Sequence, residues 1–174
     1  MSLYQLLGRC AKAELFPAEL ADLRRVLEGT PQLDGLLEAA ELQRMAPLFY
    51  RHVRAAGADL PEEIRLGLQA LTLRHAAAAG VRTSVLKDLL SAARSAGIPL
   101  ILLKGAATAY MAYPNPALRP MRDLDVLVQP ADLPALVGRH PRLQIAAADR
   151  LRTMFEPFDR LADARADDER QERR

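Results

Sequence analysis

Two acids one residue apart, Asp123 and Asp125, sit in the run Arg122-Asp123-Leu124-Asp125-Val126-Leu127-Val128. On an extended strand, residues i and i+2 share a face, so both carboxylates would point one way and Leu124 and Val126 the other. Their side chains would stand roughly 6–7 Å apart along the strand, a spacing suited to gripping divalent metal from one side. With no His or Cys nearby, ligation by carboxylate alone selects a hard cation, Mg²⁺ or Mn²⁺. The competing reading is a solvated edge strand with alternating polar residues. Val126, Leu127 and Val128 argue against it, because Asp125 then interrupts an otherwise buried run.

The residues upstream offer a partner for such a metal. Ile98–Leu103 is a short, mostly branched aliphatic run after Gly97, and its length fits a buried strand. It ends at Lys104-Gly105, and Ala106–Tyr113 then reads as a helix stopped by Pro114. Gly105 would let the backbone approach a ligand closely. The free N–H groups of the new helix turn would favour a phosphate, and Lys104 adds a positive charge. The turn by itself does not distinguish this from a plain strand-to-helix connection.

Taken together, Leu102–Val128 (LLKGAATAYMAYPNPALRPMRDLDVLV) resembles the uncharacterised nucleotidyltransferase family of the DNA polymerase beta superfamily. The resemblance implies transfer of a nucleoside monophosphate from an NTP to a hydroxyl or phosphate acceptor, with release of pyrophosphate. It implies that Gly105 and Ala106 hold the triphosphate and that Asp123 and Asp125 hold Mg²⁺ or Mn²⁺. Lys104 and Arg119 match positions that the family usually fills with the same residues. Ala106 stands where the wider superfamily often has Ser, so it offers only its backbone N–H. The acceptor, whether a small molecule, a peptide or a protein, is not legible in these residues. The resemblance also implies a third carboxylate on a later strand. Asp149, after Leu143–Ala148, is the best positional substitute, ahead of Asp159 and Asp163 in helical context. The pattern deteriorates after about Val137, and the expectation is a chain truncated or altered there, with impaired catalysis.

The elements that must carry this stretch are helical. Ser2 can cap a helix running to about Leu15, and Pro17 opens a second that Gly29 closes. Asp34–Ala56 reads as a third, kinked or split by Pro47 and ended by Gly57. Pro61 opens a long stretch to Gly97, with Glu62 and Glu63 suiting its N-terminal dipole, Gly67 and Gly80 weakening it, and Gly80 marking a candidate break. Leu86, Leu89, Leu90 and Ala93 form an apolar stripe able to pack on the sheet. His52 and His75 lack a third ligand at useful spacing and read as surface or satisfied polar residues. The arginine pairs on these helices read as solvated faces. Pro130 opens a further short helix. Leu143–Ala148 reads as a strand and Arg150–Leu161 as a helix broken at Pro157, before a charged tail.

Composition bounds the rest. The 174 residues are half hydrophobic with 5% aromatics, so the core is built of Leu and Ala. A net charge of +2 is too small to argue for a nucleic-acid surface. Cys10 is the only cysteine, so no internal disulfide can form, and it reads as a small buried hydrophobe. Arg9 and Lys12 interrupt any signal-peptide core, and no apolar run approaches the roughly 18 residues of a membrane span, so the expectation is a cytoplasmic chain.

The expected architecture is therefore α/β (α+β): a helical N-terminal region over 1–97 and a nucleotidyltransferase-type core with a small mixed sheet over 98–150, incomplete at its C-terminal side. A short helix and charged tail follow over 151–174. The expected function is Mg²⁺-dependent nucleotidyl transfer. The alternative is a non-catalytic nucleotide-binding or protein-interaction module on the same fold. A purely helical regulatory domain is a third reading, which pairing of Ile98–Leu103 with Asp123–Val128 would exclude.

Overall fold

A computed structural model describes residues 2–30 and 33–139. The expected strand at Leu143–Ala148, the helix at Arg150–Leu161, the tail and Asp149, Asp159 and Asp163 lie outside them. The chain divides into two compact units, Met1–Val128 and Gln129–Arg174. The first holds helices α1 (Leu3–Arg9), α2 (Pro17–Glu28), α3 (Leu36–Leu42), α4 (Ala46–Ala56) and α5 (Glu62–Ala96), strand β1 (Ile101–Leu102), helix α6 (Lys104–Met111) and strand β2 (Val126–Leu127). The described part of the second is a 3₁₀ turn at Pro130–Asp132 followed by α7 (Leu133–Arg139). Among the described residues, no helix is long and apolar enough to cross a membrane.

Local chemistry accounts for most helix ends. Ser2 Oγ accepts the Gln5 N–H at 3.2 Å while Gln5 Oε1 accepts the Ser2 N–H at 2.9 Å, so two of the unpaired donors of α1 are satisfied reciprocally. The helix then ends at Arg9 instead of continuing to Leu15. The reason is tertiary. His52 Nε2 lies 2.9 Å from the Lys12 carbonyl, and Arg51 Nη1 donates to the Ala13 carbonyl at 2.6 Å. These two contacts hold the segment after α1 against α4. His52 is 2% exposed, a satisfied core residue, and its carbonyl partner fixes the tautomer with the proton on Nε2.

Pro47 splits the expected third helix, sitting at the start of α4 while Arg44 takes a left-handed φ of 56° between α3 and α4. α4 supplies the centre of the core: Phe49 is fully buried, and Leu48 and Val53 nearly so. Phe49 and Val53 share one core with Leu6, Leu7, Cys10, Leu23, Leu27 and Leu36. Burial pushes the Cys10 thiol up to about 12, which keeps it an inert apolar filler.

α5 runs unbroken for 35 residues, about 52 Å. Gly80 does not break it. Gly67 is the glycine with a packing role, because a Cβ there would sit 2.5 Å from Leu37 Cδ1, so its bare backbone lets α3 close on α5. His75 Nε2 lies 2.8 Å from Glu41 Oε2, and Arg74 pairs with the same carboxylate, tying α5 to α3 again. Of the expected stripe, Leu86, Leu89 and Ala93 are buried and Leu90 is exposed. This part of α5 packs against the 3₁₀ turn Pro116–Leu118. Gly97, at φ 68°, ends the helix, and the Ile98 N–H donates back to the Ala93 carbonyl at 2.9 Å.

That last bond explains why the first strand is short. Ile98 belongs to the helix cap, and Leu103 is already the N-cap of α6, so only Ile101 and Leu102 remain as ladder. β1 and β2 pair antiparallel, with Ile101 opposite Leu127 and Leu102 opposite Val126. The Leu103 N–H extends the ladder to the Asp125 carbonyl at 2.9 Å. Among the described residues the sheet is this two-stranded ribbon, and its pairing excludes the purely helical reading.

Two outcomes follow for stability. Gly67→Ala must displace the end of the Leu37 side chain, which offsets its helix-propensity gain, whereas Gly80→Ala, whose Cβ meets nothing within 4 Å, should stabilise α5 by up to about 1 kcal/mol and so be the more stable of the two. Urea midpoints of the two variants decide this. Burial, first of all, holds His52 below its ordinary value of 6.5, so the unfolded chain binds the proton more readily than the native one. Stability contributed here is complete above the unfolded value and is lost as pH falls below it. In His52→Gln, which can still donate to Lys12, the fall in stability between about pH 7 and 5 should be shallower than in the parent chain.

Candidate functional site

The ladder sets two backbone turns side by side. One is the start of α6, where Lys104, Gly105 and Ala106 form the first turn after Leu103. The other is the approach to β2 through Asp123, Leu124 and Asp125. Because the Asp125 carbonyl accepts from Leu103, these two points are joined by a backbone hydrogen bond and not merely near each other. The helix starts at Lys104, two residues earlier than the expected Ala106, so Gly105 lies inside its first turn. The N–H groups of Lys104, Gly105 and Ala106 precede the first intrahelical bond, made by Ala107 to the Leu103 carbonyl at 3.3 Å.

The strained backbone is at Lys104, which takes a φ of 46°, and not at Gly105. A left-handed lysine is costly, by about 1–3 kcal/mol for residues held in such regions, and such outliers cluster at ligand sites. Its side chain reaches the acid on the neighbouring turn: Lys104 Nζ lies 3.2 Å from Asp125 Oδ2. The pair is open to solvent, with the two side chains 64% and 39% exposed. Asp123 is exposed as well, and it lies outside the ladder, so the alternation argument for a shared strand face applies to β2 itself but does not extend back to Asp123.

α6 is anchored from behind. Ala106 and Ala109 are buried and small, and Tyr110 shares a hydrogen bond with Thr83 of α5 at 2.8 Å between hydroxyls. The Pro-rich connection is ordered by Asn115, whose Oδ1 accepts the Ala117 N–H at 2.9 Å, and Arg119 follows as an exposed residue. The structure thus brings together Lys104, Gly105, Ala106 and Asp125. Asp123 adjoins them in sequence, Arg119 stands on the connecting loop, and Asp149 lies outside the described residues.

The two acids suit a hard cation by donor type. Among the described residues there is no group of three His, Cys, Asp or Glu side chains placed to share a metal. Mg²⁺ requires no such group, since it commonly takes one or two carboxylates and completes its shell with phosphates and water. Sequence reasoning missed the Lys104–Asp125 ion pair. The register sets Asp125 opposite Leu103, the residue before Lys104, and the flexible lysine side chain spans the remaining step.

The backbone geometry separates charge from conformation. Lys104→Gly and Lys104→Ala both delete the amine, but only Gly relieves the left-handed φ. The Gly variant should therefore be more stable than the Ala variant by about 1 kcal/mol, as read from urea or thermal unfolding.

Residues 30–139 match the model of a family described as uncharacterised nucleotidyltransferase. No curated protein matches the chain. No solved structure matches it either. The matched segment takes in α3, α4, α5 and the whole of the paired ribbon with the two turns it joins. With well over half of its length inside that match, the chain belongs to this family of uncharacterised nucleotidyltransferases.

Proposed function

We propose that the chain binds an NTP with Mg²⁺ across the start of α6 and the approach to β2, as the nucleotide site of a nucleotidyl transfer to a hydroxyl or phosphate acceptor. The observation that supports this most directly is the Lys104 amine held 3.2 Å from the Asp125 carboxylate at a helix N-terminus inside the family match. Asp123 and Asp125 would hold Mg²⁺ (or Mn²⁺), which when bound neutralises phosphate charge and helps orient the acceptor oxygen.

The chain's own groups do the rest. The N–H groups of Gly105 and Ala106 donate to phosphate oxygens with the positive end of the helix dipole behind them. Gly105 leaves open space where a side chain would begin, so phosphate can approach the backbone. Lys104 exchanges its exposed pairing with Asp125 for a phosphate oxygen, which opens the Asp125 carboxylate at the moment the nucleotide arrives. Arg119, exposed on the loop, adds a second positive charge where the pyrophosphate leaves. Deprotonation of the acceptor needs a further base, for which Asp149 is the candidate. General-base help is worth about 10²–10⁴ in rate, so without it the chain would bind nucleotide and transfer little.

Titration calorimetry with ATP and Mn²⁺ tests the site. Lys104→Ala should weaken binding about tenfold or more, and Asp123→Asn with Asp125→Asn should remove its metal dependence. Gly105→Val should lose binding with its circular dichroism unchanged, because the new side chain starts in open space. Equal affinity in all of these variants would refute the site. Pyrophosphate release from labelled NTP reports transfer. Turnover abolished by Asp149→Asn makes Asp149 the base, and binding without turnover assigns the chain to the non-catalytic alternative.

A further inference from the structure

The outer face of α5 is apolar along much of its length. Leu66, Ala70, Leu73, Ala77, Gly80 and Ser84 recur at alternating steps of three and four, and all six are exposed. Leu66 is 49% and Leu73 63% exposed, while Leu68 and Ala79 on the opposite face are buried. The same spacing continues to Glu63 at one end and to Lys87 at the other, both exposed. Such a heptad seam of leucines and small residues, facing solvent among the described residues, has the pattern of a helix surface made for a partner helix.

We propose that this seam pairs with the same seam of a second copy of the chain, antiparallel about a twofold axis near His75. Self-complementarity selects that occupant and that direction. In the antiparallel register Leu66 meets the partner's Ser84, Ala70 the partner's Gly80, and Leu73 the partner's Ala77, so each layer sets a large residue against a small one or two small ones together. Glu63 then meets the partner's Lys87, twice by symmetry. A parallel pair would place Glu63 on Glu63, Lys87 on Lys87 and Gly80 on Gly80, with like charges at both ends and a void between. The surface also carries a receiving hollow of about 380 Å³, bordered by Gly80, Thr83, Ser84, Lys87 and the Asn115–Ala117 turn. Its edge on the seam is formed by Gly80, Ser84 and Lys87, the end to which the antiparallel register brings the partner's Leu66. The seam from Glu63 to Lys87 is roughly 36 Å long. A helix pair of that extent sits at the small end of specific interfaces, the range of weak and transient association, so the dimer is expected to form at about micromolar concentration or above.

Sedimentation equilibrium of the full chain tests the proposal. The parent should reach a dimer across the micromolar range, and Ala77→Arg, which adds a charge to an exposed helical position, should be a monomer of unchanged helicity. Glu63→Lys and Lys87→Glu should each weaken the dimer about threefold to tenfold, and the double exchange should restore it. Restoration distinguishes the antiparallel register, since in a parallel pair the double exchange keeps like charges facing. A parent that is monomeric at every concentration, or a dimer indifferent to Ala77→Arg, overturns the proposal. In a monomer, a Leu73→Cys thiol that resists maleimide would instead assign the face to another segment of the same chain.

Discussion

The hydrogen bond from the Leu103 N–H to the Asp125 carbonyl is the constraint on which the candidate site depends. One backbone bond is worth only about 0.5–1.5 kcal/mol net, so it does not hold the chain together. What it fixes is position. Lys104 follows its donor and Asp125 carries its acceptor, so the two backbones are neighbours, and the side chains then bring Lys104 Nζ to 3.2 Å from Asp125 Oδ2. The two ladder pairs beyond it, Ile101 with Leu127 and Leu102 with Val126, hold the registry against a slip that would move Asp125 away from Lys104.

A ribbon this short is marginal alone, so its support comes from the helices. Ile98 is tied into the end of α5 by its N–H, which fixes where β1 can begin. α6 is held from behind by buried Ala106 and Ala109 and by the Tyr110–Thr83 hydrogen bond to α5. α5 is in turn seated on α3 through the bare backbone of Gly67 and the shared Glu41 contacts of Arg74 and His75. The helical part of the chain is thus continuous with the site mechanically, in agreement with a family match that begins at residue 30.

Much of this was legible in residue types. Ser2, Pro17, Pro47, Gly57 and Gly97 act where backbone chemistry is local: a side-chain acceptor for free N–H groups, a missing N–H, or a left-handed φ. What was not legible depended on partners distant in sequence. α1 ends at Arg9, and the segment after it, whose own sequence favours helix, is held by Arg51 and His52 of α4 instead. Gly80 interrupts nothing because a glycine costs a long helix only about 1 kcal/mol, whereas Gly67 matters through Leu37 on another element. At the site, Gly105 signals room for close approach of a ligand to the backbone; the left-handed residue beside it, Lys104, carries no such signal in its type. Composition points to the turn and not to which of its residues is strained.

The energetics of Lys104 favour exchange of its partner. An exposed ion pair contributes about 0–1 kcal/mol, because water already stabilises both ions and two flexible side chains must be ordered to meet. The left-handed backbone beneath it costs at least as much. The Lys104–Asp125 pair therefore does not account for its own geometry, and the conformation is upheld by the ladder and by packing of α6. A group held in place by its surroundings, with little stabilisation from its current partner, can move to a phosphate at small cost. The bond proposed there is charge-assisted, as the present one to Asp125 is, so the exchange would replace like with like. A fully buried pair would have been a poorer device, since removing one partner would leave an uncompensated charge at a penalty of about 3–5 kcal/mol. Exposure of Lys104 and Asp125 would thus let one backbone arrangement serve both the paired state and the nucleotide-bound state proposed for it.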